Sequence, residues 1–195
     1  METELEAKWL DINHDEFREK LVKLGAKQIR PKTDMVRAVF DIPSGKSNKE
    51  WVRVRDEGDQ ITMSYKRNED KSLTGTKEIC VVVDDFSKIV DFLIATGFQQ
   101  KSFQETRRET WVFDGAEIDL DEWPWLPTFI EIETKTEEAM HQIARKLDLD
   151  IKNAMHAAVD LVYEKYYAVT PEEVNSWPAI KFSNVPEWLE KVRRK

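Results

Sequence analysis

The stretch ETELEAKW (residues 2–9) alternates charged and apolar side chains with the period of a β-strand. Because successive side chains of a strand point to opposite faces, Glu4, Glu6 and Lys8 share one face and Trp9 lies on the other. The same alternation recurs in the later segments WVRVRD (51–56), ITMSYK (61–66), AEIDLD (116–121) and FIEIE (129–133). These strands therefore predict a sheet with one charged face, and that face is the candidate site.

The charges on these strands are separated by sign. Arg53 and Arg55 are both cationic, whereas Glu131 and Glu133 are both anionic. Alternation by itself is typical of a solvent-facing sheet, but such faces usually mix the two signs, because like charges side by side are unfavourable. Neighbouring carboxylates suit a hard divalent cation, and neighbouring arginines suit phosphate. The pattern predicts a site for both a metal ion and a phosphate compound.

Composition limits the class of protein. The chain has 195 residues, a formal net charge of −8 and a pI near 5.1, which argues against nucleic acid as its main partner. The single cysteine, Cys80 in EICVVV, excludes an internal disulfide and is predicted to be a buried strand residue. No apolar run is long enough for a membrane span, and the acidic start does not resemble a signal peptide. We expect a cytoplasmic protein with no membrane partner.

The sequence contains an internal repeat of a helix followed by a strand. DEFREKLVKLGAKQI (15–29) and DFSKIVDFLIATGFQQK (85–101) each predict a helix that stops at a glycine, Gly25 or Gly97, before a strand. Further helices are predicted over 136–147 and about 154–167, with a capped turn at Thr170. Loops are predicted at 42–49 and 68–75.

These elements predict an α+β fold. About eight strands in two matching halves favour a closed antiparallel eight-stranded β-barrel with helices packed outside. Its charged face would then line a water-filled tunnel suited to a polyanion. We expect this tunnel domain to span residues 1–167, followed by a C-terminal helical extension over 168–195.

The chain resembles the CYTH domain family of triphosphate tunnel metalloenzymes. That family includes class IV adenylyl cyclases, thiamine triphosphatases and inorganic triphosphatases. The resemblance rests on an N-terminal ExExK, an RxR pair, later basic positions and a closing EIE, and it covers roughly residues 1–167. These features are Glu4, Glu6 and Lys8, then Arg53 and Arg55, Lys66, Glu78, TRRETW (106–111), and Glu131 with Glu133.

The resemblance implies a role for each matched residue. Lys8, Arg53, Arg55, Lys66 and an arginine of TRRETW would grip the triphosphate and act in catalysis, with Glu78 organising the cations. The arginine is Arg107 or Arg108, and strand parity with Trp111 favours Arg107. Mg²⁺ or Mn²⁺ would be held by Glu4, Glu6, Glu131, Glu133 and an aspartate, either Asp119 or Asp121.

The resemblance also implies metal-dependent hydrolysis of a small triphosphate. A class IV adenylyl cyclase is one alternative, and a noncatalytic polyphosphate or nucleotide-binding module is another. If Arg107 is the matching arginine, Glu105 stands where the family often carries a lysine, and Asp160 stands where thiamine triphosphatases carry a helical lysine. Both differences argue against thiamine triphosphate. Trp123 and Trp125 either stack on a base at the tunnel mouth or pack beneath a helix or against the tail. Whether the chain forms a homodimer is left open.

Overall fold

The computed structural model describes residues 2–43, 50–68 and 76–194, without the side chains of residues 2–4, 68 and 76. The loops predicted at 42–49 and 68–75 lie largely outside these residues. The strands of the described part are β1 (Glu2–Leu10), β2 (Lys27–Asp41), β3 (Glu50–Asp56), β4 (Ile61–Asn68), β5 (Thr76–Val83), β6 (Gln99–Phe113), β7 (Ala116–Glu122), β8 (Phe129–Thr134) and β9 (Ala179–Ile180). Its α-helices are α1 (His14–Lys23), α2 (Phe86–Ala95), α3 (Glu137–Lys146), α4 (Val159–Tyr166), α5 (Pro171–Ser176) and α6 (Glu187–Glu190), and a short 3₁₀ helix covers Ile151–Asn153.

The strands form one curled sheet in the order β2-β3-β4-β5-β1-β8-β7-β6-β9. All neighbouring strands are antiparallel except β6 and β9, and β2 also pairs with β6. The α+β class and the antiparallel sheet are therefore confirmed. The closed barrel needs correction, because β1 and β5 pair only between residues 2–4 and 76–78. Beyond Glu4, β8 is the strand that pairs with the described part of β1, and on the other side Lys8 exchanges backbone hydrogen bonds with Met155 instead of β5. The sheet is therefore open along most of this seam.

The apolar strand face lies outside, beneath helices. Trp9 of β1 and Trp111 of β6 are buried in one cluster with Phe17 of α1 and Met140 of α3. A second cluster places Leu93 of α2 over Phe40 of β2 and neighbouring strands. Burial of such side chains contributes about 1.5–3 kcal/mol each. This packing leaves the charged strand face directed into the curl of the sheet.

The repeated unit has the predicted form. The helices α1 and α2 each have 10 residues, and each is followed by a glycine of positive φ, Gly25 at 78° or Gly97 at 94°. A strand of 15 residues comes next in both halves, and these two strands, β2 and β6, pair with each other. The two halves therefore meet along their longest strands.

The prediction for Cys80 is wrong. Cys80 is exposed, and so are its apolar neighbours Ile79, Val81 and Val82. The cause is the short overlap with β1, which leaves β5 without a described neighbour on that side beyond Glu78. An apolar strand sequence predicts burial only where a second element covers it.

The C-terminal residues add a cluster of aromatic side chains against α4. Tyr163 of α4 and Tyr167, which follows the helix, pack with Trp177 and Leu189, and the cluster reaches Trp123 after β7. The strand β9 joins the sheet beside β6. In the described part of the chain, no helix is both long and apolar enough to cross a membrane.

Candidate functional site

The inward face of β1, β8 and β7 carries most of the predicted acidic residues. Strand register places Glu6 beside Glu133, and Lys8 beside Glu131. Asp119 lies on the other side of Glu131. Glu4 lies at the start of β1, but its side chain is outside the described part. The alternation read from the sequence therefore brings the predicted carboxylates of three adjacent strands together.

Lys8 is a buried cation within this carboxylate group. Its Nζ lies 2.9 Å from Glu6 Oε1 and 3.5 Å from Glu131 Oε1. Burial alone would lower the pKa of Lys8, but Glu131 and Glu6 raise it above the usual value. Lys8 therefore stays charged and holds two candidate metal ligands close together.

The structure directs Arg107 and Arg108 to opposite faces of β6. Arg108 points inward and binds Asp121 through Nε and Nη2, both at 2.7 Å, and its Nη2 lies 3.3 Å from Glu131 Oε2. Arg107 points outward, where its Nε lies 2.7 Å from Asp34 Oδ1. The expectation that Arg107 shares the inward face does not agree with this orientation, because Trp111, which has the same parity, packs in the outer core. Arg108 is therefore the stronger candidate for the triphosphate arginine.

Both candidate aspartates lie at the site. Arg108 Nη1 is 2.5 Å from Asp119 Oδ2, and Thr110 Oγ1 donates to Asp119 Oδ1 at 2.6 Å. Asp121 takes the bidentate contact with Arg108 described above. Strand parity cannot separate two residues that face the same side, and the structure keeps both as candidates.

A second group of predicted residues lies on β3, β4 and β5. Arg53 Nη2 is 3.4 Å from Glu78 Oε1, and Lys66 Nζ is 3.5 Å from Glu78 Oε2. Glu78 therefore contacts two cations, as the resemblance implies. Arg55 instead donates through Nε and Nη2 to Glu57 Oε1, at 2.9 and 2.8 Å.

Glu57 is a residue that the sequence reasoning missed. It is buried and accepts hydrogen bonds from Arg55, Arg30 and Thr62. Burial alone would raise the pKa of Glu57, but Arg55, Thr62 and Arg30 lower it to about 2. Glu57 therefore fixes the direction of Arg55. Glu57 lies in the turn after WVRVR, where the strand alternation has ended, so the alternation could not predict the direction of its side chain.

Arg37 was also missed. It lies inside the curl of the sheet, cross-strand from Arg55, and only 7% of it is exposed. Its Nη2 donates to Thr106 Oγ1 at 2.9 Å, and its Cζ lies 4.6 Å from the centroid of the Trp123 ring. An arginine within the apolar segment MVRAVF (35–40) was the signal that could have identified it.

The carboxylates are crowded in a way that suits a cation. Burial and the charge of Glu131 raise the pKa of Glu6 to about 7. Burial, with a contribution from Asp121, raises the pKa of Asp119 to about 7 despite the opposing effect of Arg108. Among the described residues, no three His, Cys, Asp or Glu side chains are already arranged around a metal position. The donor set fits Mg²⁺ or Mn²⁺, since both favour oxygen ligands, after some carboxylates leave their present partners.

Comparison with known proteins places the chain in a family. The profile of the CYTH domain matches residues 2–162. The chain belongs to the CYTH domain family. No curated protein sequence matches it. The expected resemblance is therefore confirmed, and the match ends within α4.

Solved structures share the CYTH fold at low identity. The protein PH1012 from Pyrococcus horikoshii OT3 is 22% identical, covering 80% of this chain and 96% of its own, with a TM-score of 0.66. A candidate adenylate cyclase from Vibrio parahaemolyticus is 14% identical, covering 84% and 98%, with a TM-score of 0.68. The protein HpAC1 from Hippeastrum, a candidate adenylyl cyclase with a dominant triphosphatase activity, is 14% identical, covering 83% and 95%, with a TM-score of 0.56.

Proposed function

We propose that this CYTH protein is a metal-dependent triphosphatase that hydrolyses inorganic tripolyphosphate or a small organic triphosphate. One observation carries the proposal: cations and carboxylates from separate strands share the inward face of one curled sheet. Family membership and the named activity of the Hippeastrum protein support it.

The cations would bind the substrate by exchanging partners. A triphosphate carries about four negative charges, and phosphoryl transfer moves more charge onto the leaving oxygen. Arg108 would donate to phosphate oxygens in place of Asp121, and Lys8 in place of Glu6. Arg53, Arg55 and Lys66 would contact the phosphates from the opposite strands. Such donors stabilise the transition state where the charge develops.

The same exchange would free carboxylate oxygens for a metal ion. Once Arg108 and Lys8 contact phosphate, Asp119, Glu131 and Glu6 no longer need them as partners. These residues would hold Mg²⁺ or Mn²⁺ with Glu133, while Glu4 and Asp121 are further candidate ligands. When bound, the metal supplies charge neutralisation and acidifies a coordinated water for hydrolysis.

An adenylyl cyclase is the second candidate, because the Vibrio neighbour carries that name. It would need a surface that recognises the base. Trp123 has the guanidinium of Arg37 over its ring, and Trp125 packs edge-on against Trp177. The guanidinium of Arg37 occupies a face of the Trp123 ring, which weighs against base stacking there and favours hydrolysis. A noncatalytic phosphate-binding module would gain nothing from paired carboxylates without a metal.

The test is a product assay on the purified protein. Inorganic tripolyphosphate, ATP and thiamine triphosphate are each incubated with Mg²⁺, Mn²⁺ or chelator, and phosphate, pyrophosphate and cyclic AMP are measured. Metal-dependent phosphate release is the expected result. Cyclic AMP with pyrophosphate would establish the cyclase instead, and tight binding without any product would establish the binding module.

A further inference from the structure

Arg37 differs from the other inward cations in the partners it has. Lys8 and Arg108 contact carboxylates at 2.5–3.5 Å, and Arg55 contacts Glu57. Among the described residues, Arg37 contacts a hydroxyl and an aromatic ring but no carboxylate. Its Nε is buried and has no hydrogen-bond partner there. Burying a charge that has no partner of opposite charge is costly. A bound anion would offset this cost for the Arg37 guanidinium.

The surroundings of Arg37 favour an anion. Burial and the guanidinium groups of Arg53, Arg55 and Arg108 lower the pKa of Arg37, against the opposing charge of Asp121. Ser64, the cross-strand neighbour of Arg53, is fully buried and its Oγ also lacks a partner among the described residues. Unpaired donors beside several cations are the surroundings that a phosphate group requires.

Trp123 holds the guanidinium of Arg37 in place. Trp123 is two residues after Asp121 and four after Asp119, so it lies on the same inward side as these two residues, just past the end of β7. The following loop is tied to the C-terminal end of α4. Tyr163 Oη donates to the carbonyl of Pro124 at 2.7 Å, and Oη of Tyr167, which follows the helix, donates to that of Trp125 at 2.6 Å. Trp123 is 7% exposed, and its ring lies against the guanidinium of Arg37, which it covers as well as supports.

We infer that Arg37 binds a phosphate group of the polyanion inside the curled sheet, and that Trp123 positions its guanidinium for that contact. This inference rests on the proposed function and adds to it a binding residue and a substrate preference. Because the Trp123 ring covers Arg37, this part of the site can bind a phosphate group but offers no free face of Trp123 to a base. The favoured substrate is therefore inorganic tripolyphosphate.

The test measures binding of inorganic tripolyphosphate by calorimetry, in chelator and in Mg²⁺, for the intact chain and for Arg37→Met. Arg107→Met is the matched control, since it removes an outward arginine from the same sheet. Arg37→Met is expected to weaken the Kd about tenfold or more, and Arg107→Met less than twofold. Trp123→Leu should weaken binding while Trp123→Phe retains most of it.

Thermal unfolding separates binding from a purely structural role. Without ligand, Arg37→Met should keep or raise the melting temperature, because it removes an unpaired buried charge, but tripolyphosphate should stabilise it less. A Kd within twofold of the unaltered chain would overturn the inference, whatever the melting temperature. If Arg37→Met does not fold, Arg37→Lys, which keeps the charge but loses the planar fork, is judged by the same criterion. Failure of the unaltered chain to bind tripolyphosphate at all would overturn the proposed function itself.

Discussion

Asp121 holds the guanidinium of Arg108 through two parallel hydrogen bonds, Nε to Oδ1 and Nη2 to Oδ2, each 2.7 Å long. This is the bidentate geometry in which arginine also binds phosphate. The carboxylate therefore occupies the donors that the substrate would use. Arg108 is the point where the cationic and acidic halves of the site compete for one set of hydrogen bonds.

The first prediction concerns this arginine. Arg108→Gln should lower kcat for triphosphate hydrolysis by about 10²–10³-fold, because it removes donors aimed at developing phosphate charge. Arg107→Gln, the outward neighbour, should leave kcat within about twofold. Steady-state kinetics on both variants checks this. The reverse ranking would restore Arg107 as the catalytic arginine.

The second prediction tests the acidic half. Glu131→Gln should shift the Mg²⁺ or Mn²⁺ concentration for half-maximal activity upward by about tenfold, since a neutral amide is a weaker ligand for a hard cation. Glu122→Gln on β7 is the control, because Glu122 points outward and contacts Arg107 and Lys32. An unaltered metal titration would remove Glu131 from the candidate ligands.

The third prediction concerns the strand opposite Arg108. Arg53→Ala should lose most hydrolytic activity by raising the barrier to phosphate transfer, while far-ultraviolet circular dichroism and the melting temperature stay near those of the unaltered chain. Turnover and circular dichroism on one preparation check it. Unchanged turnover would count against a phosphate site on β3.

The fourth prediction is a pH dependence of stability that comes from Glu57. Its pKa is lowered to about 2 from a usual value of 4.5, so its contribution is fully present above pH 4.5 and is lost as pH falls towards 2. Glu57→Gln should therefore reduce the free energy of unfolding by about 2 kcal/mol near neutral pH. The difference between the two proteins should shrink steadily below pH 4.5.

Denaturant unfolding between pH 7 and pH 3 measures this difference. Asp59→Asn is a suitable control, because Asp59 contacts Arg30 from an exposed position and should contribute little at any pH. A constant difference across the range would show that the charge of Glu57 does not stabilise the fold.

The alternation of charge along the strands was enough to predict the sheet, its one charged face and most of the residues that share that face. Lys8, Glu131 and Arg53 need only strand parity to reach that face. The two glycine-terminated helices were predicted for an equally local reason, since caps and hydrophobic periodicity act within one element.

Residues outside this alternation could not be assigned in the same way. Glu57 lies in a turn, where the direction of a side chain depends on the path of the backbone and not on a two-residue period. Arg37 interrupts an apolar segment, and only packing against Trp123 explains its burial. Strand parity places Arg107 and Arg108 on opposite faces of the sheet, but it does not say which of the two faces is inside.

The sequence by itself determined which side chains share a face, because that depends on a two-residue period within each strand. Only the tertiary structure decided which face is inside, how far β1 and β5 overlap, and which cation meets which carboxylate. Those outcomes depend on contacts between residues far apart in the chain. Arg108 and Asp121 meet because β6 pairs with β7 in one register, and Cys80 is exposed because β1 pairs with only part of β5.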